Sequence, residues 1–215
     1  MNALFGVVGV ASSLSTLVVL IFFSVSKIVS QKPVLRWIAI YSGISFLTDA
    51  LLQFSADKTN FTLLFTFTLL EYGCFAWIFY MVLDKPLHKK LIVLGSFLFL
   101  VIVCITLSNF GSQEFDNVNS GTEAILIIIY SILYFSEKLN IENLEPIFDN
   151  PRAYIVIGCL FYLAGNLFLF ITTEAQNTSI WIINSLFNLV KNIFFLVAIR
   201  QCTRPKKEVT TLRYS

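Results

Sequence analysis

Apolar residues run along this chain in long uninterrupted blocks, separated by short polar connections. The blocks are Ala3–Val25, Val34–Phe54, Thr62–Leu83, Leu91–Leu107, Thr122–Phe135, Ala153–Thr172 and Ile180–Ile199. A spanning helix needs roughly 20 mostly apolar residues, at about 1.5 Å rise each, to cross about 30 Å of hydrocarbon. The pattern therefore predicts an all-α membrane protein, a bundle of seven transmembrane helices in residues 1–200, with residues 201–215 as a basic tail. The fifth block is the shortest, and Ser136 with the Leu139–Leu144 stretch is expected to extend it as an interfacial turn. The first basic residue, Lys27, follows a long apolar stretch, so the start reads as a retained helix rather than a cleaved leader.

Composition supports lipid as the solvent. Of the 215 residues, 57 % are hydrophobic and 13 % charged, about half the charged share of an ordinary globular domain. A soluble fold has no place for so much apolar surface. The formal net charge of +2 gives no reason to expect a nucleic-acid partner. Cys74, Cys104, Cys159 and Cys202 are scattered, and His88 is the sole histidine, in a predicted loop, so no metal or other cofactor is expected.

Charge in the connections sets an expected orientation. Lys27, Lys32 and Arg36, then Lys85, Lys89 and Lys90, then Arg200, Arg204, Lys206, Lys207 and Arg213 fall on one side. Asp57, Lys58, Glu114, Asp116 and Glu174 fall on the other. Basic residues favour the cytoplasmic face, so the N-terminus is expected outside and the C-terminus inside. Trp37, Tyr154 and Trp181 suit the interfacial belts. The connection from Glu137 to Pro151 is acidic and inside, where it offers a docking surface or a merely solvated loop. Asp149-Asn150-Pro151 reads as a helix start, a capping side chain followed by proline. The sequons at Asn60 and Asn177 sit too near helices to be read as glycosylated. The second and sixth blocks align from Arg36 and Arg152, with Leu47/Leu163, Leu51/Leu167 and Phe54/Phe170 coinciding, the mark of a parallel repeat or of chance among apolar helices.

Candidate chemistry lies within the blocks. An ionisable side chain at the centre of a spanning helix costs at least about 2.5–3.5 kcal/mol. Asp49, Glu71 and Lys191 are the deep ones. Counting rise from the basic ends puts Asp49 and Glu71 roughly 19–20 Å above the inner boundary and Lys191 roughly 13–14 Å. Side chains lean towards the N-terminus of their own helix, so Lys191 leans outward and Asp49 inward, and their ends are placed to meet. Ser42, Ser45, Asp49 and Gln53 share one helix face, as do Asn184, Asn188, Lys191 and Asn192. Thr68, Tyr130, Tyr134, Tyr162 and Asn166 are available to complete a lining. The expected ligand-binding or intramembrane polar site is Asp49, Glu71, Lys191, Asn188, Asn184, Ser45, Tyr162 and Asn166. Polar groups of this kind also serve simply as glue between helices, and Gly158 and Gly165 are expected to allow close helix contact.

Sequence motifs of catalysis are missing: there is no His-Glu-x-x-His, no Gly-x-Ser-x-Gly and no glycine-rich phosphate loop. Seven helices with a lysine in the last resemble microbial rhodopsins, which would make Lys191 the retinal carrier and Glu71 its counter-ion. The arginine–acid pattern of that family's third helix and the tryptophan and proline of its sixth are absent, so retinal is not expected. The Pro-Gln pair of PQ-loop carriers is absent as well. The stretch from Asn150-Pro151-Arg152 through Gly158, Tyr162 and Gly165-Asn166, followed by Asn188-Leu-Val-Lys191-Asn192, resembles small bacterial seven-helix membrane proteins and the membrane sensor portions of signalling proteins. That resemblance, over about a quarter of the chain, implies a receptor-like or sensor-like protein of the bacterial inner membrane. It would bind an unknown small ligand and couple to a separate protein partner at the cytoplasmic face. A small-solute or proton-coupled transporter uses the same polar core, and a lipid-acting enzyme is the third reading.

Overall fold

The computed structural model describes residues 2–25, 31–54, 57–110, 117–139, 150–172 and 179–203. Among them are seven helices: α1 (Asn2–Val25), α2 (Pro33–Phe54), α3 (Asp57–Val82), α4 (Pro86–Phe110), α5 (Asn117–Leu139), α6 (Pro151–Thr172) and α7 (Ser179–Thr203). All are long and apolar enough to cross a membrane. The chain is thus a multi-pass membrane protein by architecture, and its exposed surface agrees. Val7, Val10, Leu14, Val18 and Ile21 of α1 form an exposed apolar stripe at spacings of three and four. Leu94, Phe97, Val101 and Ile105 do the same on α4. Such faces are stable only against lipid.

Three helices open on proline, Pro33, Pro86 and Pro151, where the missing N–H is harmless. Asn150 caps α6 as its sequence suggests: its side-chain oxygen accepts from the Arg152 N–H at 3.0 Å. The fifth helix corrects the sequence reading. It runs 23 residues, from Asn117 to Leu139, well beyond its apolar block. Its buried stripe is Asn119, Glu123, Ile127, Tyr130, Tyr134 and Glu137. Half of that stripe carries an amide or a carboxyl group, so hydropathy undercounts a helix whose polar face turns inward.

Contacts between helices fix their directions. Ser12 and Ser15 of α1 meet Asn188 and Asn192 of α7, so these two run parallel. Ile92 and Thr106 of α4 meet Tyr130 and Asn119 of α5, so those run antiparallel. Helix α7 packs against α6 and α1, and α3 lies among α2, α4, α5 and α6. Gly158 permits a close α6–α7 approach: a Cβ there would stand 3.0 Å from Phe194 Cβ and 3.2 Å from the Lys191 carbonyl. Gly165 likewise lies flush against the Phe187 ring. The leucines matched in the suspected repeat occupy different surroundings. Leu47 and Leu51 are exposed, whereas Leu163 is buried.

Lys32, Arg36, Lys85, Lys89, Lys90 and Arg200 all lie at one end of the bundle, where α2, α4 and α6 begin. At that end Glu137 ties α5 to the connection between α3 and α4. Its buried carboxylate accepts from the Asp84 and Lys85 backbone N–H groups at 2.9 Å each, and its Oε1 lies 2.7 Å from His88 Nδ1. A carboxylate from α5 thereby caps the start of α4, satisfying N–H groups that a helix N-terminus leaves bare. Two expectations change here. Glu137 belongs to the last turn of α5 and is buried, not part of an acidic loop. His88 belongs to the first turn of α4, not to a loop. Asp84 in turn holds Lys138 Nζ at 2.8 Å and Arg152 Nη1 at 3.5 Å. The hydrogen bond from Lys138 holds the Asp84 carboxyl below its usual range, against partial desolvation. Glu142, Glu145, Asp149, Asn177, Glu114, Asp116, Glu174 and the tail beyond Thr203 lie outside the described residues, as do the side chains of Gln53, Asn60 and Trp181, while the backbone of the Asn60 sequon falls in the first turns of α3.

Candidate functional site

Two connected features occupy the middle of the bundle: a buried charged group and a cavity above it. Lys191 of α7 is fully buried. Its Nζ donates to the hydroxyl of Tyr41 on α2. That hydroxyl donates in turn to Glu71 Oε1 on α3 at 2.7 Å. Tyr162 of α6 closes the group from above, with its ring centroid 3.9 Å from Lys191 Nζ, and it stands beside Glu71 and Asn166. The Tyr41 ring adds a second cation–π contact at 4.4 Å. Four helices thus contribute one residue each to a chain in which positive and negative charge are relayed by a phenol. In low-dielectric surroundings such a group is stable only when every member is bonded, and losing one strands the others.

The sequence-predicted residues divide between these two features. Glu71, Lys191, Tyr162 and Asn166 belong to the charged group. Asp49 does not: its Oδ2 accepts from Ser13 Oγ of α1 at 2.8 Å. The expected meeting of Asp49 with Lys191 is replaced by the Tyr41 bridge, because α2 presents Tyr41 two turns below Asp49 on the same face. Tyr41 went unread in the sequence, although its spacings of four to Ser45 and eight to Asp49 mark that face. Thr68 bonds Ser120, and Tyr130 bonds Tyr72, in a separate cluster among α3, α4 and α5, so neither lines the Glu71–Lys191 group. Tyr134 lies near the basic end, under Lys138.

Above Tyr162 a partly open cavity of about 390 Å³ runs towards the other end of the bundle, near Leu52 of α2. That volume is at the small end of ligand pockets, which run to about 300–1,000 Å³. Ser45, Asp49, Asn184, Asn188 and Tyr162 all line it. Asn188 donates through Nδ2 to Ser12 Oγ at 2.8 Å, while its Oδ1 is buried without a partner. The Oδ1 of Asn184 is unpartnered as well. An unpaired buried acceptor costs about 1–3 kcal/mol, which a bound donor would recover. Asn192, one turn below, bonds Ser15 at 2.7 Å and acts as a tie between α1 and α7.

Among the described residues, no group of three or more His, Cys, Asp or Glu side chains is placed to hold a metal ion. The four cysteines are free. Neither a protein-family model, nor a curated protein, nor a solved structure matches the chain.

Proposed function

We propose that this chain is a receptor-like membrane protein, in which a small ligand enters the cavity and its presence is passed through Tyr162 to the Lys191–Tyr41–Glu71 group. The observation that carries this reading is the one-sidedness of the interior. The cavity ends on Tyr162, directly over Lys191, while at the opposite end, among the described residues, Glu137, Asp84, Lys138 and Arg152 bond the α3–α4 connection to α5 and α6. A ligand that shifts the Tyr162 ring changes a contact shared by α6 and α7 and, through Tyr41 and Glu71, by α2 and α3. Those helices reach the basic end, which the positive-inside rule assigns to the cytoplasm, with the N-terminus outside. A separate protein partner there would read the change.

Transport of a small solute or proton is the second reading, favoured by a cavity that reaches the core from one face. The lipid-enzyme reading draws less support, since Asp49 and Glu71 bond different partners and form no acid–base dyad. Native mass spectrometry of the purified protein tests the common premise. A small-molecule adduct is expected on the wild type and is expected to vanish in Ser45→Leu, which fills the cavity without touching a charge. Identical adducts on both proteins overturn the ligand site. Labelling of Ile38→Cys, a buried position near the basic end, separates receptor from transporter. A receptor keeps that thiol protected from an impermeant reagent on the basic face, and a transporter exposes it.

A further inference from the structure

The atoms that the cavity leaves without partners are all of one kind. Asp49 offers a carboxylate of which one oxygen is engaged, by Ser13. Asn184 and Asn188 each present an unpartnered Oδ1. Asn188 is nine-tenths buried, so its oxygen has no ready access to bulk water. The charges sort in the same sense. Lys191 and Glu71 offset one another across Tyr41, and Lys191 is screened from the cavity by the Tyr162 ring. Among the described residues, Asp49 is then the one charged residue on the lining. A surplus negative charge in a low-dielectric cleft draws cations and repels anions. The walls differ as well. The α1 and α7 side is mostly hydroxyl and amide, α2 adds Ser45, Thr48 and Asp49, and Leu52, Leu64 and Phe67 of α2 and α3 supply an apolar stretch.

We infer that the cavity takes a small organic cation, a protonated amine, whose ammonium group bonds Asp49 and the Asn184 and Asn188 oxygens while its hydrocarbon part lies against Leu52, Leu64 and Phe67. The inference rests on the ligand-cavity reading above and assigns its chemical class. Ammonium supplies three donors, which the three acceptors match. Its charge offsets that of Asp49, and the apolar wall contributes burial of the stem. An anionic ligand would meet the carboxylate and two carbonyl oxygens with no donor to receive it.

The test uses charge-matched thiol reagents on the full chain in proteoliposomes. Thr48→Cys places a thiol on the lining, one residue from Asp49. Cationic, neutral and anionic methanethiosulfonates of similar size are applied, and each rate is normalised to that reagent's rate with free 2-mercaptoethanol. The same protein without Thr48→Cys gives the background from native cysteines. Cationic modification is expected to exceed anionic by about tenfold or more. Asp49→Asn is expected to collapse that ratio towards one while the neutral reagent still labels Thr48→Cys, which also shows that the fold persists. Equal rates, an anionic preference, or a ratio that survives Asp49→Asn overturns the cation assignment and leaves the cavity reading standing. Failure of even the neutral reagent to label Thr48→Cys and, as a second position, Ser45→Cys overturns both.

Discussion

Tyr41 makes the Lys191–Glu71 pair a relay rather than a direct ion pair, and a double-mutant cycle measures what that relay contributes. The perturbations are Lys191→Met and Glu71→Gln, singly and together. Both side chains are essentially buried, Lys191 at 0 % and Glu71 at 5 % exposure. The Tyr41 hydroxyl stands between them, so two hydrogen bonds in series separate Nζ from Oε1 by roughly 5 Å. At an effective dielectric of about 20, the attraction between unit charges at that distance is about 3 kcal/mol. Each single substitution leaves one buried charge facing a phenol alone, at a cost of about 3–5 kcal/mol. The double substitution removes both charges and keeps the side-chain volumes, so it is expected to cost markedly less than the sum. A coupling energy of about 2–3 kcal/mol is expected. The assay is reversible unfolding in mixed micelles at increasing sodium dodecyl sulfate, followed by circular dichroism. Additivity within about 0.5 kcal/mol would refute the reasoning. It would mean that the two charges do not sense one another through Tyr41.

Other outcomes follow from the same geometry. Glu137→Ala removes the acceptor for the Asp84 and Lys85 N–H groups, and is expected to cost about 2–3 kcal/mol. Amide exchange should accelerate at the start of α4, while Asn150→Ala should speed exchange only at the start of α6. Gly158→Leu forces α6 from α7 at the Phe194 and Lys191 contact, with an expected loss of about 1–3 kcal/mol in the same unfolding assay, and Gly43→Ala serves as the tolerated control, its Cβ meeting only Leu20 at 4.0 Å. Asp84 has a depressed carboxyl pKa when folded, so its contribution is present above the ordinary pKa of about 3.9 and fades as pH falls through the folded value. Its side chain is 60 % exposed, which with salt screening limits the effect to below about 1 kcal/mol. Lys138→Met should return the Asp84 titration, followed by carbon-detected NMR, towards that ordinary value.

Hydrophobic pattern alone determined the number and order of the helices, because lipid demands a long apolar stretch for each crossing and the backbone must satisfy itself within it. Asn150 and Pro151 marked a helix start for equally local reasons, and Pro33 and Pro86 open α2 and α4 by the same chemistry. The pattern was silent where polarity faced inward. Asn119 and Glu137 fell outside the apolar block of α5 on paper and lie inside the helix in fact, since burial against other helices replaces the need for apolar side chains. Sequence also named Asp49, Glu71 and Lys191 as the deep charges, for depth follows from rise per residue. It could not pair them. Rotation of each helix about its axis is set by packing, through Gly158 at α6–α7 and the Ser12–Asn188 tie at α1–α7. That packing gave Glu71 and Lys191 to Tyr41, left Asp49 on the cavity wall with Ser13, and separated the charge that holds helices together from the charge left for a ligand.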